Sequence, residues 1–157
     1  MSNQFTHLDA AGAARMVDVS EKESTTRTAV ASGVLRTTHE VVALLGSDGL
    51  PKGDALATAR IAGIMAAKRT WELVPLCHPI ALSGVKVDLA LGDAEVRITA
   101  TVRTTDRTGV EMEALTAVSV AGLTLHDMVK AVDPAASLDA VRVERKEGGK
   151  TGLWERP

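Results

Sequence analysis

The chain has 157 residues, a formal net charge of −2 and 24% charged residues, enough for one domain that buries roughly two thirds of its unfolded surface without disulfides or metal. That charge balance argues against a nucleic-acid protein, which is normally strongly basic, and 2% aromatics with no tyrosine leave no stacking platform for single strands. A single cysteine cannot form an intramolecular disulfide, and no pair of CxxC motifs builds a zinc ribbon, so a reducing intracellular compartment is expected.

Residues 1–23 show no period and read as an N-terminal arm. The stretch "MSNQFTHLDAAGAARMVDVS" has no basic segment followed by an apolar core, and no apolar run approaches the roughly 18 residues that span a bilayer. A soluble, cytoplasmic protein that binds neither membrane nor nucleic acid is the expectation. Thr26 to Thr37 is rich in Thr and Val and predicts a strand. "THEVVALLG" (38–46) predicts a short helix closed by Gly46, followed by the polar turn "SDGLPKGD", which carries Lys52.

The alanine-rich run "DALATARIAGIMAAKRTW" predicts a helix with Asp54 as its N-cap, Pro75 ending it or the turn after it. "SGVKVDLALG" then alternates, Val85, Val87, Leu89 and Leu91 on one face and Lys86 and Asp88 on the other. "EVRITATVR" turns Val96, Ile98, Ala100 and Val102 inward, and the short "GDA" between the two runs predicts a hairpin. The longest element, "GVEMEALTAVSVAGLTLHDMVKAVD" (109–133), is apolar almost all round, so one face should cover the sheet and another should meet a second layer or another subunit. A last strand (138–147) leads into "GGKTG". The order strand, helix, strand, strand, helix, strand is an α+β ferredoxin-like split βαβ sandwich, an antiparallel sheet with helices on one face, in a single domain over 1–157.

The chemical candidates begin with "LVPLCHPI" (73–80). Cys77 as a nucleophile needs a base, and its sequence neighbour His78 is poorly placed for that; a lone cysteine among Leu and Pro is more often a small core residue. His78 is the better candidate, because a proline-flanked turn presents an imidazole rigidly, although a satisfied buried histidine fits as well. Glu111 and Glu113 stand two apart and face different ways on a helix. "TGVE" (108–111) fits a capping box that would occupy Glu111 and leave Glu113 available. Asp127 and Lys130 share a face in a helix that otherwise avoids charge, which suits either an exposed ion pair or a proton-transfer pair. Lys52, Lys68, Arg69, Lys146 and Lys150 fall near turns and element ends, where an anion can gather several. "GGKTG" has no following helix and is not a P-loop.

Together, "MVDVS", "KGDALATARIAGIMAAKRTWELVPLCHPI", "TGVEMEALTAVSVAGLTLHDMVKAV" and "GGKTG" resemble the molybdenum cofactor biosynthesis protein C family, in order and over nearly the whole chain. The resemblance implies a cyclic pyranopterin monophosphate synthase with a ferredoxin-like fold, assembled as a homohexamer, a trimer of dimers, with active sites near subunit interfaces. It implies conversion of a cyclic dihydroguanosine triphosphate to cyclic pyranopterin monophosphate with release of pyrophosphate. Carried over by residue, the catalytic aspartate falls on Asp127 and the essential lysines on Lys52 and Lys130. Substrate contacts fall on Leu76, Cys77, His78, Met112 and Glu113, with Glu111, Lys68, Arg69 and Lys146 or Lys150 as further pocket residues. No resident metal is implied; a divalent cation could accompany the triphosphate, but no ligand cluster demands one.

Overall fold

The computed structural model describes residues 5–47, 49–50 and 54–157. In chain order these form β1 (Thr25–Arg36), α1 (His39–Gly46), α2 (Ala55–Ala67), α3 (Thr70–Leu73), β2 (Leu82–Leu91), β3 (Glu95–Asp106), α4 (Glu111–Val129), β4 (Ser137–Glu147) and β5 (Trp154–Glu155). The strands make one sheet in the order β2-β3-β1-β4-β5, and every pairing is antiparallel. This is the expected ferredoxin-like α+β arrangement.

Alternation decides which face is covered. Val96, Ile98, Ala100 and Val102 on β3 are fully buried, and Ala29, Ala31 and Leu35 on β1 join them. α4 lies across β1, β3 and β4, and α2 packs on α4 and β2. On β2 the pattern weakens toward the edge of the sheet: Val87 is buried whereas Leu91 is exposed. β4 shifts register against β1 between Ser32 and Val34, where Ala140 takes a left-handed φ of 53°, the geometry of a β-bulge.

Several boundaries differ from the sequence expectation, each for a local reason. The run from Ala55 does not continue to Trp71: Arg69 leaves helical geometry, at φ −115° and ψ 14°, and the buried hydroxyl of Thr70 donates to the Ala67 carbonyl at 3.0 Å, satisfying an acceptor that the break would orphan. Asp54 caps α2 as expected, accepting from the Ala57 amide at 2.9 Å. Thr38 caps α1 rather than opening it, accepting from the Val41 amide at 3.2 Å. α4 stops at Val129 instead of Asp133, because the amides of Val132 and Asp133 both return to the Val129 carbonyl and the Asp133 carboxylate binds Thr37 Oγ1 and the Ala135 amide. The tail after "GGKTG" forms β5 on the outer edge of β4, with Arg156 Nε donating to the Val143 carbonyl at 2.8 Å.

Candidate functional site

The first turn of α4 and the segment after α3 meet at a cavity of about 340 Å³. Leu76, Cys77, His78, Met112, Glu113 and Glu111 all line it, together with Ile80, Thr108 and Gly109. The N-terminal arm closes the remaining side with Thr6, His7, Val17, Val19 and Lys22. Aliphatic side chains (Leu76, Ile80, Met112, Val17, Val19) and polar ones (His78, Glu111, Glu113, Lys22) share the lining. Chain reversal after α3 places 76–78 there, with the Cys77 amide donating to the Val74 carbonyl at 3.1 Å.

Glu113 is the unusual group. It is only 4% exposed, and burial, reinforced by the like charge of Glu111, pushes its carboxyl up to about 7 against the pull of its own amide. Ionised and protonated forms therefore coexist near neutral pH, the condition for moving a proton. Burial, and then the neighbouring Glu113, also push the Cys77 thiol up. A thiol held protonated is a poor nucleophile, so Cys77 acts as lining.

Glu111 does not serve as a capping residue. α4 begins at Glu111 itself, Val110 at the cap position makes no side-chain bond, and Lys146 Nζ sits 3.0 Å from Glu111 Oε1. A carboxylate at the first helical position cannot reach back as one at the third would. Instead it bridges the cavity to a second cleft of about 440 Å³, lined by Lys22, Arg27, Arg107, Lys146, Glu111 and Glu147, among others.

Three of those cations, Lys22, Arg27 and Arg107, were not among the sequence candidates, because they come from the arm, β1 and the β3–α4 turn and share no local pattern. Gly148 and Gly149 were the available signal. Both have left-handed φ, 97° and 72°, and a Cβ on Gly148 would strike the Thr26 carbonyl while one on Gly149 would strike the Arg27 guanidinium. The glycines let this turn close over Arg27, whose Nε and Nη2 donate to the carbonyls of Asp106 and Arg107.

Asp127 and Lys130 lie at the other end of α4. They form an ion pair of 2.8 Å with both side chains 54% exposed, and with Leu123, Thr124 and His126 they line a separate shallow depression. Fifteen residues of helix separate Met112 from Asp127, about 22 Å at 1.5 Å per residue. Lys68, the C-cap of α2, and Arg69 are exposed beyond the cavity, and Lys150 is exposed in the turn after β4; none of the three lines either cleft. Lys52 lies outside the described residues.

The model of the MoaC family matches residues 16–149. The chain belongs to the MoaC family. It is 66% identical over 155 residues to cyclic pyranopterin monophosphate synthase 2 of Mycobacterium tuberculosis (strain CDC 1551 / Oshkosh), covering 99% of this chain and 93% of that protein. It is 68% identical over 154 residues to the cyclic pyranopterin monophosphate synthase of Streptomyces coelicolor, covering 98% and 91%. The synthase of Novosphingobium aromaticivorans is 53% identical over 153 residues, with 98% of each chain covered. The span matched by the MoaC family contains every candidate residue except Lys150. Among the described residues, no helix is long and apolar enough to cross a membrane, and no group of three His, Cys, Asp or Glu side chains is placed to hold a metal ion.

Proposed function

We infer that the chain is a cyclic pyranopterin monophosphate synthase of molybdenum cofactor biosynthesis, converting 3′,8-cyclo-7,8-dihydro-GTP to cyclic pyranopterin monophosphate and pyrophosphate. The observation that supports this most directly is the continuity of two unlike compartments. A half-apolar cavity holding a buried carboxyl and an imidazole shares Thr6, Lys22, Thr108, Gly109 and Glu111 with a cleft rich in cations. A substrate with a flat heterocycle at one end and a triphosphate at the other needs such a pair.

In this reading Leu76, Ile80 and Met112 face the ring, His78 and Glu113 contact its polar edge, and Lys22, Arg27, Arg107 and Lys146 neutralise phosphate oxygens. A sugar-derived hydroxyl attacks the α-phosphorus as its proton passes to a base. The bond to the bridging oxygen breaks, and pyrophosphate leaves with the electron pair, its growing charge stabilised by those cations. A divalent ion arriving with the triphosphate would be carried largely by the phosphates.

Asp127 and Lys130 would move protons during opening and reclosure of the purine-derived ring. The helix places them about 22 Å from Met112, too far for one substrate to touch both ends within one copy. In this reading a second copy supplies one half, so that active sites lie between subunits of a homohexamer built as a trimer of dimers, and the helix spacing supports that arrangement. Purified Lys130→Ala incubated with the cyclic triphosphate should yield almost no pterin product, read as the fluorophore formed after oxidation; near-normal turnover refutes the assignment. Lys52→Ala should lose pyrophosphate release, and retained release removes Lys52 from the phosphate step.

A further inference from the structure

The arm segment from Met16 to Lys22 is a structured wall of the site. His78 Nε2 lies 2.7 Å from the Val17 carbonyl oxygen. A carbonyl only accepts, so Nε2 carries the proton and donates, and the neutral ring is held in the tautomer whose Nδ1 is an acceptor. Among the described residues no other group hydrogen-bonds this imidazole, so Nδ1 is the nitrogen left to exchange a proton or hydrogen bond with a ligand in the cavity.

The Val17 carbonyl is held in turn by a local device. Asp18 Oδ1 accepts from the Ser20 amide at 2.9 Å and from Ser20 Oγ at 2.6 Å, an Asx turn that closes the chain immediately after the Val17–Asp18 peptide. The Lys22 amide then donates to the Val19 carbonyl at 3.0 Å, delivering Lys22 to the edge shared by the two clefts. Those bonds from Ser20, and the nearby Arg15 and His78, hold the Asp18 carboxyl below its usual range. The same stretch, Met16 to Ser20, lines with His78 and Arg107 a second pocket of about 310 Å³ that the imidazole also borders.

We propose that Asp18 is a positioning residue: by closing the Asp18–Ser20 turn it holds the Val17 carbonyl on His78 Nε2 and sets Lys22 at the cleft, so that substrate meets His78 through Nδ1. The role in turnover rests on the synthase reading above, whereas the tautomer does not. Asparagine keeps a carbonyl oxygen able to accept both bonds, and alanine has none, so the pair of substitutions separates the turn from the charge.

The test uses the full-length protein labelled with 15N-histidine, with His78 assigned among the four histidines by comparison with His78→Gln. The nitrogen shifts at alkaline pH should report the Nε2–H tautomer in the unaltered protein and in Asp18→Asn, and a mixture of tautomers in Asp18→Ala. Turnover of the cyclic triphosphate should follow: kcat/KM in Asp18→Ala falls by at least about tenfold, as displacing a positioned group does, and Asp18→Asn retains it. An Asp18→Ala protein that keeps both tautomer and turnover overturns the proposal. Loss of both in Asp18→Asn overturns it too, because the charge rather than the turn would then be responsible. If the unaltered protein makes no pterin, the synthase reading fails while the tautomer comparison still decides whether Asp18 orients His78.

Discussion

Glu113 shows how burial alters a carboxylate that its spacing alone does not distinguish from Glu111. Its folded carboxyl titrates near 7 against 4.5 for the exposed group, so between those values the native state holds a proton that the unfolded chain has released. Stability contributed by this residue is complete below about pH 4.5, falls through the window, and is gone above about 7. Glu113→Gln removes the slope: urea unfolding should show little gain at pH 5 and a gain on the order of 3 kcal/mol at pH 8. An equal effect at both pH values would show that Glu113 is not protonated by burial. Lys146 behaves oppositely. Its bond to Glu111 is a third exposed on both sides, so Lys146→Ala should cost under about 1 kcal/mol in stability, yet raise KM for the cyclic triphosphate severalfold if the ammonium faces phosphate. The Asp127–Lys130 pair was legible in the sequence, because three residues on a helix fix a contact. The gathering of Lys22, Arg27 and Arg107 was not, since it depends on an arm, a strand and a turn meeting in space.

At the level of elements, period carried most of the information. Strict alternation on β3 assigned four of its five buried inward side chains, missing Thr104, whose hydroxyl hid the continuation of the pattern, and Asp54 marked the start of α2. What escaped were the ends, where a single side chain outbids the periodic pattern: Thr70 breaking α2 from α3, Asp133 closing the turn after α4, and the two-residue β5 that pairs only because β4 already offers an edge. The α2–α4 contact was written in alanine and glycine. A Cβ on Gly63 would sit 2.8 Å from the Ala117 carbonyl oxygen and 3.2 Å from Ala121 Cβ, and a helix backbone cannot yield as a side chain can. An isolated helix gains about 1 kcal/mol from glycine to alanine, but overpacking here should cost about 1 to 3 kcal/mol. Gly63→Ala should therefore lower the midpoint of denaturant unfolding. A raised midpoint would mean that the two helices separate freely.

The scale of the whole molecule is where one chain falls short of the proposed chemistry. The groups proposed to bind the ring and the phosphates collect at the start of α4 and the pair proposed to move protons at its end, about 22 Å away. Ile61 and Met65 on α2 and Leu123 on α4 are exposed, and Leu123 borders the Asp127–Lys130 depression; in the proposed assembly this apolar surface would meet another copy. If two copies exchange halves across a twofold axis, each composite site takes Glu113 from one chain and Lys130 from the other. Glu113→Ala and Lys130→Ala proteins, each nearly inactive alone, should then complement after subunit exchange by dilution from mild denaturant. In a mixed dimer one site carries both substitutions and the other carries neither. Random pairing makes half the dimers mixed, so about a quarter of the unaltered turnover should return. If every site were built within one chain, mixing would restore nothing, and the ring-binding and proton-transfer roles would have to be reassigned to residues at one end of α4.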